Sequence, residues 1–265
     1  MHSVTFDVEI DYLAAPNVAI DDLGDDIQTW ITTQRADGRT VKAVLPNAEA
    51  DNIGIINYAT SSVEEDDESY TTAQYCARIA GLLAAVPITM SATFWTLPEL
   101  TGAARMSKSD MDTAIDAGKL IVFWDGEKVK VARGVNSFQT TTETMGDMFK
   151  KIRMVEIMDK IQKDIRRLAE DNYIGKFSNT YANKCLFLSA VKDYFDELEK
   201  QGVLTVKECD IDEKANKNYL VDHDIDVTDW TDTEIREANT GDTVFLKATL
   251  SLFDAIEDIV LPITV

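Results

Sequence analysis

The chain has 265 residues, enough for one large domain or two ordinary ones, and its 45% hydrophobic and 28% charged residues are a globular composition. A formal net charge of −21 repels phosphate backbones, which argues against nucleic-acid binding, and it favours solubility. No run approaches the ~20 apolar residues of a membrane span, and the first residues lack the basic and apolar regions of a signal peptide, so the expectation is a soluble protein made in the cytoplasm.

Residues 4–10 alternate, with Val4, Phe6, Val8 and Ile10 on one face, and predict a half-buried strand. A chain opening directly in a strand is expected to be cut from something longer. Asp21 and Asp22 start a helix with the stripe Ile27, Trp30, Ile31 and Gln34, and Gly38 follows its end. Short buried strands at 41–45 and 53–58 complete a βαβ unit in a parallel or mixed sheet. Residues 61–68 are polar and acidic, and read as an exposed loop. Thr71 or Thr72 caps a helix that Pro87 stops, with Tyr75, Ile79, Leu82 and Leu83 facing the core. Its small residues Ala77, Ala80, Gly81, Ala84 and Ala85 would admit a close neighbour. Residues 93–97 read as a strand. Ser109 and Asp112 mark the cap of a short helix ending at Gly118. Residues 120–124 and 128–132 then form a hairpin about an Asp125-Gly126 turn.

Two longer helices follow at about 146–170 and 180–200. The first has Ile152, Val155, Met158, Ile161, Ile165 and Leu168 at helical spacing. The second has Leu186, Phe187, Ala190, Val191, Phe195 and Leu198, and ends at Gly202. A strand near 203–210, a helix near 212–221 and a capped turn at Thr231 with Glu234 come next. From Val244 the chain alternates again: Val244, Leu246, Ala248, Leu250 and Leu252 share a face. After the acidic step 254–258, residues 259–265 are apolar nearly throughout and need a pairing partner. The composition shifts near residue 136, which predicts a boundary between an α/β part, 1–135, and a helix-rich part ending in strands, 136–265. The fold class is α/β (α+β), a mixed sheet with flanking helices.

Enzyme chemistry finds little to work with. A nucleophilic triad needs a placed histidine. His2 is terminal and His223 lies in an acidic turn, and neither a GxSxG elbow nor a glycine-rich phosphate loop is present. Asp222, Asp224 and Asp226 have the alternation of a calcium loop, but Val227 and Thr233 stand where that loop needs Gly and Glu, so a solvated turn is the better reading. The run Glu64, Glu65, Asp66, Asp67 and Glu68 reads as a solvent loop. Cys76, Cys185 and Cys209 are odd in number and form no CxxC, and read as reduced thiols. No catalytic residue, metal or cofactor is expected. One stretch breaks the acidic trend: Lys150, Lys151, Arg153, Lys160, Lys163, Arg166 and Arg167 read as one helix, either with an ordinary mixed-charge face or as a basic ridge for an acidic partner.

Several blocks together resemble the contractile phage tail sheath proteins. They are Lys42–Asn47 with Asn52–Asn57, Tyr75–Ala84, Ser91–Phe94 and Leu97–Glu99, Ala114–Leu120, Val129–Asn136, Phe149–Arg153, Asp171–Gly175, and Glu237–Gly241 leading into Val244–Ala248. They run through most of the chain in family order. The resemblance implies a subtilisin-like α/β region without a triad, followed by a C-terminal domain, in a sheath subunit of a myophage, prophage or phage-tail-like bacteriocin. It also implies a preceding region that this chain lacks. The implied function is structural: subunits stack around a tail tube and terminal arms knit neighbours by strand addition. The implied partners are other sheath subunits, the tail tube protein and baseplate or terminator proteins, with no nucleic acid and no membrane. Assembly would take place in the host cytoplasm, and the product would be a virion tail or tail-like particle. On this reading Ile259, Val260, Leu261, Ile263 and Val265 form the inter-subunit arm, and Lys160, Lys163, Arg166 and Arg167 are the candidate tube contact. The rival readings are a soluble carboxylate-dependent hydrolase and an unrelated binding module.

Overall fold

The computed structural model describes residues 9–15 and 20–264, without the side chains of 20–23. Val4 to Val8, the body of the first expected strand, and Val265 lie outside the described residues. The chain forms two compact units: Met1–Asp159 with Ala255–Val265, and Lys160–Asp254.

The first unit opens with β1 (Tyr12–Ala14), α1 (Ile20–Ala36), β2 (Lys42–Pro46) and β3 (Ile55–Tyr58). β4 (Ser62–Glu65), β5 (Glu68–Thr71), α2 (Thr72–Ala85), β6 (Gly102–Ala103), α3 (Lys108–Asp116) and β7 (Lys119–Leu120) follow. The strand order β1-β2-β3-β7 makes a parallel sheet. Every residue of β2 and β3 is buried, because helices cover both faces. Ala43, Leu45 and Ile55 pack with Ile31 of α1, with Ile27 and Trp30 at the margin. Val44, Ile56, Tyr58 and Leu120 pack with Tyr75, Cys76, Ile79, Leu82 and Leu83 of α2. This is why these strands read as continuous apolar runs rather than alternations. Thr71 and Gln74 close a capping box at the start of α2, which saturates donors the first turn would otherwise leave open.

Several local expectations need correction. The acidic stretch 61–68 is a hairpin, not a loop: β4 pairs with β5 and, on its other side, with β6. Asp66 turns it with φ of 50°, a conformation aspartate tolerates, and Val63 is buried. Residues 93–97 are not a strand. Phe94 takes φ of 58°, and the segment bonds to the next hairpin through Phe94 N–H to Val131 O at 2.8 Å and Leu97 N–H to Val129 O at 2.9 Å. The cap of α3 is Ser107, whose hydroxyl accepts from Asp110 N–H; the same Ser-x-x-Asp spacing occurs two residues before the expected one. Of the small residues on α2, Ala77, Gly81, Ala84 and Ala85 are exposed.

The hairpin β8 (Val122–Trp124) and β9 (Val129–Val131) is antiparallel. Its turn is centred one residue later than expected, at Gly126-Glu127, because Asp125 and Lys128 still pair, N–H to O at 3.1 Å. Gly126 supplies φ of 105°. A 3-10 turn, Asp147–Lys150, precedes α4 (Ile152–Asn172). The expected helix starts six residues late because residues 150–152 are extended beside 134–136: Asn136 N–H reaches Lys150 O and Ile152 N–H reaches Gly134 O.

The division between units falls inside α4, after Asp159. The second unit continues with α5 (Tyr181–Lys200), β10 (Leu204–Ile211), α6 (Glu213–Asp222), α7 (Asp232–Glu237) and β11 (Leu246–Leu252). β10 and β11 form a two-stranded antiparallel sheet with an irregularity at Val206/Glu208. Thr180 and Thr231 cap their helices, the latter with the expected Glu234 box. Lys184 is buried on α5 in phase with Leu188, Val191, Phe195 and Leu198. Among the described residues no helix is long and apolar enough to cross a membrane, and the three cysteines are free, Cys185 only half-buried.

Candidate functional site

The segment that follows β11 inverts the usual sorting of side chains. Glu257 is buried, its side chain 6% exposed. The apolar residues beyond it stand in water: Ile259 at 85%, Val260 at 91%, Leu261 at 74% and Ile263 at 78%. Water should take the carboxylate and reject the aliphatic groups, so both halves of the inversion need a cause.

For Glu257 the cause is a complete set of donors within the first unit. Oε1 accepts from the Ser91 hydroxyl at 2.8 Å and the Thr93 hydroxyl at 2.5 Å. Oε2 accepts from Arg133 Nη1 at 3.1 Å and Lys151 Nζ at 2.9 Å. Burial alone would raise this carboxyl; the Thr93, Lys151 and Ser91 hydrogen bonds outweigh it and bring the group down from 4.5 to about 2. Arg133 also grips the next residue, its Nη2 lying 2.8 and 3.0 Å from the two oxygens of Asp258. The planar guanidinium thus spans two consecutive carboxylates, which a lysine could not do with this geometry. The socket is braced from behind, since Thr93 Oγ1 accepts the Gly134 N–H at 3.0 Å.

The socket residues come from three separate blocks: Ser91–Phe94, Val129–Asn136 and Phe149–Arg153. Each carries part of the sheath resemblance. Folding brings them together because 93–97 runs along β9 and 150–152 runs beside 134–136. Sequence reading assigned Glu257 to an acidic step and missed its role. The available signal was three cationic or hydroxyl-bearing blocks without an anionic partner of their own.

The predicted arm residues Ile259, Val260, Leu261 and Ile263 form no strand here. The predicted basic ridge is not one helix. Lys150 lies in the 3-10 turn and pairs with Asp147, Lys151 belongs to the Glu257 socket, and Arg153 is buried with its Nε donating to Ile88 O at 2.9 Å. Lys160, Lys163, Arg166 and Arg167 are on α4, where Lys160 pairs with Asp164 at 2.8 Å.

A carboxylate pair of the kind a hydrolase would use does occur in the first unit, at Glu156 and Asp159. Lys42 Nζ lies 3.3 Å from Glu156 and 2.9 Å from Asp159, and Arg35 binds Asp159 with both Nη atoms at 3.0 and 2.8 Å. Tyr12 donates to Glu156. Both carboxylates are engaged by cations. Among the described residues no group of three metal-ligating side chains is found; Asp226 accepts from Thr228 N–H and its hydroxyl instead.

Two family models match the chain in tandem. That of the phage tail sheath protein central domain covers residues 3–137, and that of the phage tail sheath C-terminal domain covers 144–265. The tail sheath protein of Clostridium phage phiCD119 is 41% identical over 254 residues, which are 95% of this chain and 71% of that protein. In fold, the chain is similar to the sheath tail protein from Desulfitobacterium hafniense, with a TM-score of 0.67 at 24% identity over 75% of this chain. It spans about half the length of that protein, 50%. It is also similar to the contracted helical sheath of the anti-feeding prophage, with a TM-score of 0.64 at 12% identity over 97% of this chain and 70% of that one. The hydrolase reading gains nothing from these likenesses. The chain belongs to the phage tail sheath protein family.

Proposed function

We propose that the protein is a structural subunit of a contractile tail sheath, not an enzyme, that it polymerises around a tail tube, and that it contracts by repacking subunit contacts. The observation that carries the reading is the exposed apolar segment from Ile259 onward. It has the composition of a strand yet forms none among the described residues, and adding it to a neighbour's sheet edge satisfies its backbone groups and buries its side chains. An extended arm also keeps its ladder of hydrogen bonds while subunits move as rigid bodies, which suits a switch between two helical packings.

The partners in this reading are other sheath subunits, the tube protein and baseplate or terminator proteins. Assembly takes place in the host cytoplasm and the product is a virion tail or tail-like particle. Lys160, Lys163, Arg166 and Arg167 contact the tube. The subtilisin-like topology and the division into parts 1–135 and 136–265 belong to the same reading; the edges of the two family models, at 137 and 144, favour that division. The test is deletion of residues 259–265. Soluble, folded subunits that no longer form sheaths by electron microscopy are expected, and normal sheaths would overturn the arm.

A further inference from the structure

The Glu257 socket is more elaborate than holding a loose segment requires. It brings two cations and two hydroxyls to one carboxylate, and one of those cations extends to Asp258. From Phe253 to Thr264 the chain has no regular structure, so no helix or strand fixes where the apolar segment starts. The Glu257 side chain is closed to solvent between Ile256, 88% exposed, and Ile259. In an extended chain, residues 257, 259, 261 and 263 project to one side and 258, 260 and 262 to the other. A one-residue slip in such a chain exchanges its two faces. Holding residue 257 therefore fixes which side of the following segment Ile259, Leu261 and Ile263 occupy.

We propose that Glu257 is a positioning residue for assembly: seated on Ser91, Thr93, Arg133 and Lys151, it fixes the start and facing of the segment that a second copy of this chain receives. The inference rests on the arm reading above and adds to it a fixed point on the donor subunit. Arg133, by holding residues 257 and 258 together, sets the direction in which the segment departs.

The experiment compares four variants of the protein, expressed with the tube protein and scored for polymerised fraction and thermal midpoint. They are the 259–265 deletion, Glu257→Gln, a Gly-Ser insertion after Asp254 and the same insertion after Asp258. Gln keeps the shape, but its amide nitrogen meets the Arg133 or Lys151 donors, and its lost charge weakens the rest. Glu257→Gln is expected to lower the polymerised fraction about tenfold, the factor one charge-assisted hydrogen bond commands, with the thermal midpoint nearly unchanged. The insertion after Asp258 displaces the arm by about 7 Å and should match it. The insertion after Asp254 lies ahead of the fixed point and should be silent. Normal polymerisation of the deletion variant removes the arm reading and this inference together. A blocked deletion variant with wild-type assembly in Glu257→Gln removes only the fixed point. Equal damage from the two insertions, or a Glu257→Gln defect matched by a general loss of thermal stability, overturns it as well.

Discussion

Asp159 accepts from Lys42 Nζ at 2.9 Å, and both side chains are nearly closed to solvent. Arg35 covers the same carboxylate from α1, so one acid ties strand β2 and helix α1 to the start of α4. Losing one partner of a buried pair leaves the other charge desolvated and unpaired, which costs more than the pair contributes. Asp159→Ala should destabilise the protein by about 3 kcal/mol, measured by urea unfolding. A Lys42→Met, Asp159→Leu double variant should lose less than the single one, because it strands no lysine in the core.

The Glu257 carboxyl is held well below its ordinary 4.5, at about 2. A depressed acid contributes binding that is complete above its free value and is lost as the pH falls through the bound one. Docking of 255–258 should therefore hold at pH 7 and weaken from about pH 4.5 toward 2. Hydrogen exchange at these residues reads it directly. Glu257→Gln should show faster exchange already at pH 7 and a smaller further change on acidification, the remainder coming from Asp258 on Arg133.

Gly118 follows α3 with φ of 71°, and a Cβ there would meet Asn136 O at 2.8 Å and Ser137 Cα at 3.2 Å. Backbone atoms cannot swing aside as a side-chain end can. Gly118→Ala should cost roughly 2–3 kcal/mol from conformational strain and the contact, seen as a lowered thermal midpoint. Gly146→Ala, where nothing lies within 4 Å of the added atom, is the matched control and should be nearly neutral.

The basic residues on α4 and just before it divide by role. Arg153 is buried and Lys151 is committed to Glu257, so replacing either tests folding or anchoring, not recognition. Reversing charge at Lys160, Lys163 and Arg166 should weaken co-sedimentation with tubes while leaving the unfolding midpoint close to wild type. Unchanged co-sedimentation would remove these residues from the tube contact.

Much of this architecture could be read in the sequence where periodicity and caps carry it. Tyr75, Ile79, Leu82 and Leu83 announced the buried face of α2, the Thr231–Glu234 box announced α7, and β2 and β3 stood out as short apolar runs. The failures share a different origin. The β4–β5 hairpin has only Val63 buried among acids, so its pairing partners, not its own pattern, make it a strand. Residues 93–97 had strand composition, but the left-handed turn at Phe94 broke it. The buried ion and hydrogen-bond partners of Lys42, Lys184 and Glu257 escaped the sequence reading because composition does not reveal a partner 54 to 166 residues away. Lys184 alone left a local trace, its phase with Leu188 and Val191: it donates to Ala238 O at 2.8 Å and to the Thr240 hydroxyl at 2.9 Å.

The route of the chain bears on the order in which it can fold. The first unit is left at Asp159 and rejoined at Ala255, with the whole of 160–254 made in between. On the ribosome, the parallel sheet and its helices emerge with the Glu257 socket unfilled, Arg133 and Lys151 hydrated and awaiting an acid still to be translated. The intervening unit is contiguous and can close first. Seating Glu257 is then the last event in making the first unit, so a C-terminal truncation, which looks like trimming a tail, strikes a part of the molecule that began with its earliest strands.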